Sequence, residues 1–198
     1  MSTEPTGRSG AAADDAGILL VDDLEDNLLA LEAVLSTLHV PLVRAGSGQE
    51  AVAVLEEREV ALVLLDVAMP GMDGFETAHR IKQHERTRDI PVIFLTGAQS
   101  AADTGFTFRG YATGAVDFLS KPFDPWVLRT KVAVFLDLHR KSRRLRQLVE
   151  EERYRLDDFA RRLEAVESRL AEDTGPDTAR LARDVAALAD ALDGLRGV

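Results

Sequence analysis

Three acids, a hydroxyl and an ammonium stand at the ends of separate apolar runs in this 198-residue chain. Asp22 and Asp23 close Ile18-Leu19-Leu20-Val21, and Asp66 closes Ala61-Leu62-Val63-Leu64-Leu65. Thr96 follows Val92-Ile93-Phe94-Leu95, and Lys121 follows Val116-Asp117-Phe118-Leu119-Ser120. Carboxylates gathered at one edge of a sheet suit a divalent cation, and a donor set of oxygens alone suits a hard one. In open parallel sheets, ligands bind just beyond the carboxyl ends of the strands, so the recurrence of these groups there predicts a site.

The elements that must position them alternate along the chain. Short apolar runs separated by amphipathic stretches predict a parallel sheet flanked by helices, an α/β class. The first strand is expected over residues 17 to 22 and the first helix over 25 to 38, with Leu28, Leu31, Leu35 and Leu38 on one buried face. A second strand is expected near 40 to 45. Ser47 and Glu50 have capping-box spacing for a helix over 48 to 58. After Asp66, the turn residues Pro70, Gly71 and Gly74 precede a helix through Phe75, Ala78 and Ile81. His79 and His84 fall on its solvent side with no partner at metal-ligand spacing. Between Thr96 and Ala115 four glycines dilute the pattern, and a short helix is expected there.

An acidic pair, an acceptor Asp, a Thr and a Lys-Pro in this order resemble the receiver domain of two-component response regulators. Asp66-Val67-Ala68-Met69-Pro70-Gly71-Met72-Asp73-Gly74 is similar to the loop that follows that family's phosphorylated aspartate. The resemblance runs from about Gly17 to about Leu138. It implies a doubly wound, five-stranded, flavodoxin-like sheet. It implies that Asp66 accepts a phosphoryl group from a sensor histidine kinase or phosphotransfer protein, with Lys121 and Thr96 contacting phosphoryl oxygens. It implies Mg²⁺ held by Asp23, Asp66 and the main-chain carbonyl of Ala68, with Asp22 acting mostly through water. It also implies switching through Thr96 and an aromatic three residues before the Lys, here Phe118, which lacks the hydroxyl of the commoner Tyr and equally fits a core position. The small neighbours Ala68, Gly97 and Ala98 predict a phosphorylated state open to water and short-lived.

Composition bounds the rest. With no Cys there is neither a disulfide framework nor a thiolate site. No run approaches a membrane span, and residues 1 to 16 read as a mobile, disordered tail without a secretory apolar stretch, so a cytoplasmic protein is expected. The net charge of -10 is uneven: residues 1 to 139 carry 21 acids and 11 bases, residues 140 to 198 carry 13 of each. Arg-, Ala- and Asp-rich usage suits a GC-rich bacterial genome.

From Pro125 no Gly or Pro interrupts the chain until Gly175, far more helix than the sheet needs. Read in sevens, Leu128, Phe135, Ser142, Val149, Leu156, Leu163 and Leu170 form one series, and Leu138, Leu145, Glu152, Phe159 and Val166 the other. That narrow stripe predicts a coiled-coil homodimer over residues 139 to 174, continuous with the last receiver helix, although it could also fold back on its own receiver. Residues 175 to 198 then form a short helix, packing antiparallel or continuing after a kink. The basic band 140 to 146 lies beside Glu150, Glu151 and Glu152, and reads as a solvated helix face rather than a nucleic-acid surface. No phosphate loop or His-bearing output motif follows, so signalling by protein contact is expected and catalysis is not. A phosphorelay intermediate or phosphate sink is the alternative, and a nucleic-acid-binding regulator a further one.

Overall fold

The computed structural model describes residues 16–97, 114–172 and 176–196, and the chain divides into two compact units between His139 and Arg140. In the first unit the strands are β1 (Gly17–Val21), β2 (Leu42–Ala45), β3 (Val60–Asp66), β4 (Val92–Gly97) and β5 (Asp117–Lys121). All pair in parallel in the order β2-β1-β3-β4-β5. The helices are α1 (Glu25–Leu35, extended by a 3₁₀ turn to Leu38), α2 (Gly48–Glu57), α3 (Gly74–Gln83) and α4 (Pro125–Glu172). The second unit holds the rest of α4 and α5 (Pro176–Arg196). The short helix expected between Thr96 and Ala115 lies outside the described residues.

Alternation along each strand splits the core into two layers. Leu19, Val21, Val63, Leu65 and Phe94 face Ala51, Leu55, Phe75, Ala78 and Ile81 of α2 and α3. Ile18, Leu20, Leu62, Leu64, Ile93 and Leu95 face Leu28, Leu31 and Leu35 of α1 and Leu128, Val132 and Leu136 of α4. All seven residues of β3 are buried, which is why its sequence is an unbroken apolar run ending in a carboxylate. At α2 the Ser47 hydroxyl accepts from Glu50 N at 3.2 Å, while the Glu50 carboxylate returns to Gly46 N at 2.7 Å, one residue earlier than the usual capping box.

On α4 the structure corrects the reading in sevens at its start. Leu128, Val132 and Leu136 step by four onto the sheet, so Leu128 belongs to the receiver core and Phe135 is half-buried beside it. Leu138 is 54% exposed, and the exposed series begins there. Asp124 starts the helix: its carboxylate accepts from Trp126 N at 2.7 Å and Val127 N at 3.3 Å, ahead of Pro125 at the first helical position.

Leu64→Ala should lower unfolding stability by about 3 kcal/mol, and Ser47→Ala by about 1 kcal/mol, the first through a cavity and the second through a lost cap. Urea unfolding followed by circular dichroism checks both; equal losses would contradict this division between core and cap.

Candidate functional site

The parallel register brings the polar strand ends to one edge. Val21 is level with Leu65, Asp66 with Leu95, and Gly97 with Lys121, so Asp22, Asp66, Thr96 and Lys121 all fall at or just beyond the carboxyl ends of adjacent strands. Asp22 is fully buried, and Asp66 and Thr96 nearly so. Lys121 joins two of them: its Nζ donates to Asp22 Oδ2 at 2.7 Å and to Asp66 Oδ1 at 2.5 Å. The peptide bond between Lys121 and Pro122 is cis.

Each carboxylate has further donors. Asp66 Oδ2 accepts from Ala68 N at 2.9 Å. Asp22 Oδ1 accepts from Leu24 N at 3.0 Å and Asn27 Nδ2 at 2.8 Å, and Asp22 Oδ2 accepts from the same Nδ2 at 3.0 Å. Sequence reasoning passed over Asn27; its signal was a side-chain donor in the first turn of a helix whose N-cap, Leu24, has no capping atom.

The loop after Asp66 is fixed by backbone bonds and one close approach. Val67 N donates to Leu95 O at 3.1 Å, and Gly74 N donates to Val67 O at 3.0 Å. A Cβ on Gly74 would lie 2.3 Å from Asp66 O and 2.7 Å from Val67 Cα, so only glycine lets α3 begin this close to the acidic strand end. Asp73 caps α3, its carboxylate accepting from Glu76 N at 2.7 Å.

Thr96 donates its hydroxyl to Gly97 O at 3.0 Å. Phe118 is half-buried and stacks at a tilt on Phe94 with ring centroids 5.4 Å apart, and Phe94 meets Phe75 edge-on at 5.0 Å. Asp23 and Ala68 are exposed at the rim. Ala98 lies outside the described residues. His79 and His84 are exposed on and after α3, away from these strand ends, and His79 pairs with Gln83.

The electrostatics are those of an acid-rich pocket with one cation. Burial pushes the Asp66 carboxyl up, and Asp22's charge adds to this; the hydrogen bond and charge of Lys121 and the Ala68 N–H pull it down, but the net shift is upward. Burial pulls the Lys121 ammonium down, yet its hydrogen bonds to Asp22 and Asp66 and their charges outweigh it, and its net shift is also upward. One ammonium against Asp22 and Asp66 leaves the pocket negative, and Asp23 adds to that at the rim. Among the described residues no three His, Asp or Glu side chains form a ready metal cluster. Hard oxygen donors, excess negative charge and an incomplete protein cage fit a cation that keeps several waters, as Mg²⁺ does.

A doubly wound parallel sheet with acids, a hydroxyl and a lysine at its carboxyl edge places a polar site where the flavodoxin-like class binds its ligands. Residues 18–133 match the response regulator receiver domain, and the chain belongs to that family. The chain is 39% identical over 117 residues to Response regulator PleD of Caulobacter vibrioides, spanning 59% of this chain and 25% of that protein. It is 32% identical over 151 residues to the cyclic di-GMP phosphodiesterase response regulator RpfG of Xanthomonas campestris, spanning 74% and 39%. It is 36% identical to the phosphate regulon transcriptional regulatory protein PhoB of Pseudomonas aeruginosa, spanning 60% and 51%. The chain thus covers from a quarter to about half of these curated relatives. Among solved structures, the chemotaxis protein CheY4 of Vibrio cholerae superposes with TM-score 0.56 at 26% identity, covering 61% of this chain and 98% of CheY4. The receiver domain of a Syntrophus aciditrophicus histidine kinase gives 0.56 at 32% identity, covering 62% and 90%.

Because the folded state binds the Asp66 proton more tightly than the unfolded chain, ionising Asp66 lowers stability as pH rises from the ordinary carboxylate value through the raised folded one. Asp66→Asn removes that ionisation. The stability of the variant relative to the native chain should be smallest near pH 4 and grow toward pH 7 in urea titrations; a gap that shrinks with rising pH would contradict the shift.

Proposed function

We propose that this chain is a response regulator that takes a phosphoryl group onto Asp66 from the phosphohistidine of a sensor kinase or phosphotransfer protein, and signals through a homodimer of its helical second unit. The observation that carries the first half is the Lys121 bridge between Asp22 and Asp66 at the carboxyl edge of the sheet.

The chemistry follows from that bridge. An Asp66 carboxylate oxygen attacks phosphorus in line, the bond from phosphorus to the donor imidazole breaks, and the imidazole nitrogen keeps the electron pair. Charge spreads over three peripheral oxygens in the transition state, and the protein's contribution is positioning and neutralisation. Lys121, already against Asp66, supplies a compact positive charge to one of those oxygens. Thr96 supplies a hydroxyl donor once it turns from the Gly97 carbonyl, and Phe118 responds to that movement within its aromatic stack. Asp23, Asp66 and the carbonyl of Ala68 would hold Mg²⁺, with Asp22 reached through water; when bound, the ion supplies further positive charge to the phosphoryl oxygens. Water reverses the attachment by attacking the acyl phosphate.

The second half rests on the exposed seam. Within α4, Leu138, Leu145, Val149, Phe159 and Val166 are between 43% and 67% exposed, and Leu156 and Leu163 are half-covered. Leu170 carries a further position of the same series. Apolar side chains repeating in sevens and left open to water are what a second copy covers. The ion pairs Glu152 with Arg155 and Asp158 with Arg161 and Arg162 lie along the helix surface. The basic residues Arg140, Lys141, Arg144 and Arg146 are exposed among them, as a solvated band. The output is a protein contact presented or hidden by the dimer, in a cytoplasmic setting.

Incubation with a small acyl phosphate donor and Mg²⁺ should add one phosphoryl group by intact mass, absent in Asp66→Asn and lost well within several hours. Uptake that survives the substitution would exclude Asp66 as the acceptor. Light scattering should report a dimer, and Leu145→Glu with Val149→Glu should raise its dissociation constant by at least about tenfold. A native monomer would place the seam against its own chain.

A further inference from the structure

Asp22 is a fully buried carboxylate with donors on both of its oxygens. Leu24 N, Lys121 Nζ and Asn27 Nδ2, which straddles both oxygens, all lie between 2.7 and 3.0 Å from it. The Asn27 amide orientation is fixed by chemistry, because an ionised carboxylate only accepts and the amide nitrogen must face it.

The geometry follows from the start of α1. Leu24 occupies the N-cap and has no side-chain oxygen, so Asp22 satisfies the Leu24 N–H from two residues upstream. Asn27, in the first turn, reaches back across the same gap and straddles both Asp22 oxygens. Asp22 is therefore gripped from α1 on one side and by Lys121 on the other.

Two consequences bear on the site. Asp22 is sealed from solvent and held by donors on both oxygens, unlike Asp23 beside it, which is exposed. More directly, Asp22 Oδ2 and Asp66 Oδ1 share one ammonium, and each hydrogen bond that Asn27 gives Asp22 weakens the claim of Asp22 on Lys121. Without Asn27, the buried Oδ2 would have Lys121 as its sole donor, and the ammonium would be drawn away from Asp66.

We propose that Asn27 is a positioning residue that, by donating to both oxygens of Asp22, keeps Lys121 divided between Asp22 and Asp66 and free to follow the incoming phosphoryl group. This rests on the reading of Asp66 as the phosphoacceptor. Asn27 touches no reacting atom, so its influence must pass through Lys121.

The test is a double-substitution cycle on the full chain. Phosphate uptake from acetyl phosphate with Mg²⁺ is timed by intact mass for the native protein, Asn27→Ala, Lys121→Ala and the pair. Asn27→Ala should slow uptake about tenfold, or about 1.4 kcal/mol, in the native background and less than about twofold once Lys121 is gone. Asn27→Ser, which keeps one donor, should recover part of the rate, and carries the same comparison if Asn27→Ala does not melt cooperatively. Equal losses with and without Lys121, or no loss in either, overturn the proposal, since Asn27 would then only shape α1. A native chain that takes up no phosphate, or an Asp66→Asn chain that takes up as much, overturns the phosphoacceptor reading and this inference with it. Native labelling on Asp66 with additive losses overturns this inference alone.

Discussion

One ammonium holds the functional edge of this sheet together. Lys121 stands at the end of β5, level with Gly97 of β4, and donates to carboxylates that follow β1 and end β3. Two buried acids side by side would repel without it, and a buried lysine would lack a counter-charge without them. The strand order places β3 at the centre with β1 and β4 as its neighbours, which is what allows three chain segments far apart in sequence to meet at one cation. The surrounding construction serves that meeting: Gly74 lets α3 start against the backbone of Asp66, and Asn27 and Leu24 fix Asp22 from the other side.

The same alternation that buries two faces of the sheet explains how α4 serves two ends. Its first three turns present Leu128, Val132 and Leu136 at steps of four, a stripe that suits the sheet layer also covered by α1. Beyond Leu136 the apolar positions fall into sevens, and Leu138, Leu145, Val149, Phe159 and Val166 are exposed while Leu156 and Leu163 are half-covered. The change of period near Leu138 marks where the helix stops being part of an α/β core and becomes a surface of another kind, without a break in its hydrogen-bonded backbone.

Much of this was legible because the signals were local or periodic. The five strands read from apolar runs, the α2 cap from Ser47 and Glu50, and the acid, hydroxyl and lysine from their places at strand ends. The buried face of α1 read from three of its four leucines, Leu38 being only partly covered. What escaped was not all remote: Asp73 caps α3 with the same three-residue spacing to Glu76 N that Ser47 has to Glu50 N, and so was local and readable. Asn27 is an unremarkable polar residue in a helix until the turn out of β1 places Asp22 beside it. The heptad count runs back through Leu128, outside the coiled coil expected over 139 to 174, because a count in sevens cannot tell which of two partners covers a residue; here the sheet covers it.

Burial raises the Asp66 carboxyl more than its donors lower it. A carboxylate kept comfortable by water or by many donors would be a stable anion and a poor place to deliver more negative charge. Here burial works against the ionised form, and the compensating donors are few: Lys121 on one oxygen and Ala68 N on the other. The pocket therefore holds an unsatisfied demand for positive charge before any phosphoryl group arrives. A phosphoryl transition state, with charge spread over peripheral oxygens, sharpens that demand, so the groups that relieve it act more strongly on the transition state than on the resting site. On the proposed reading, that difference, and not affinity for phosphate itself, is what would suit a buried aspartate beside a shared lysine to accept a phosphoryl group.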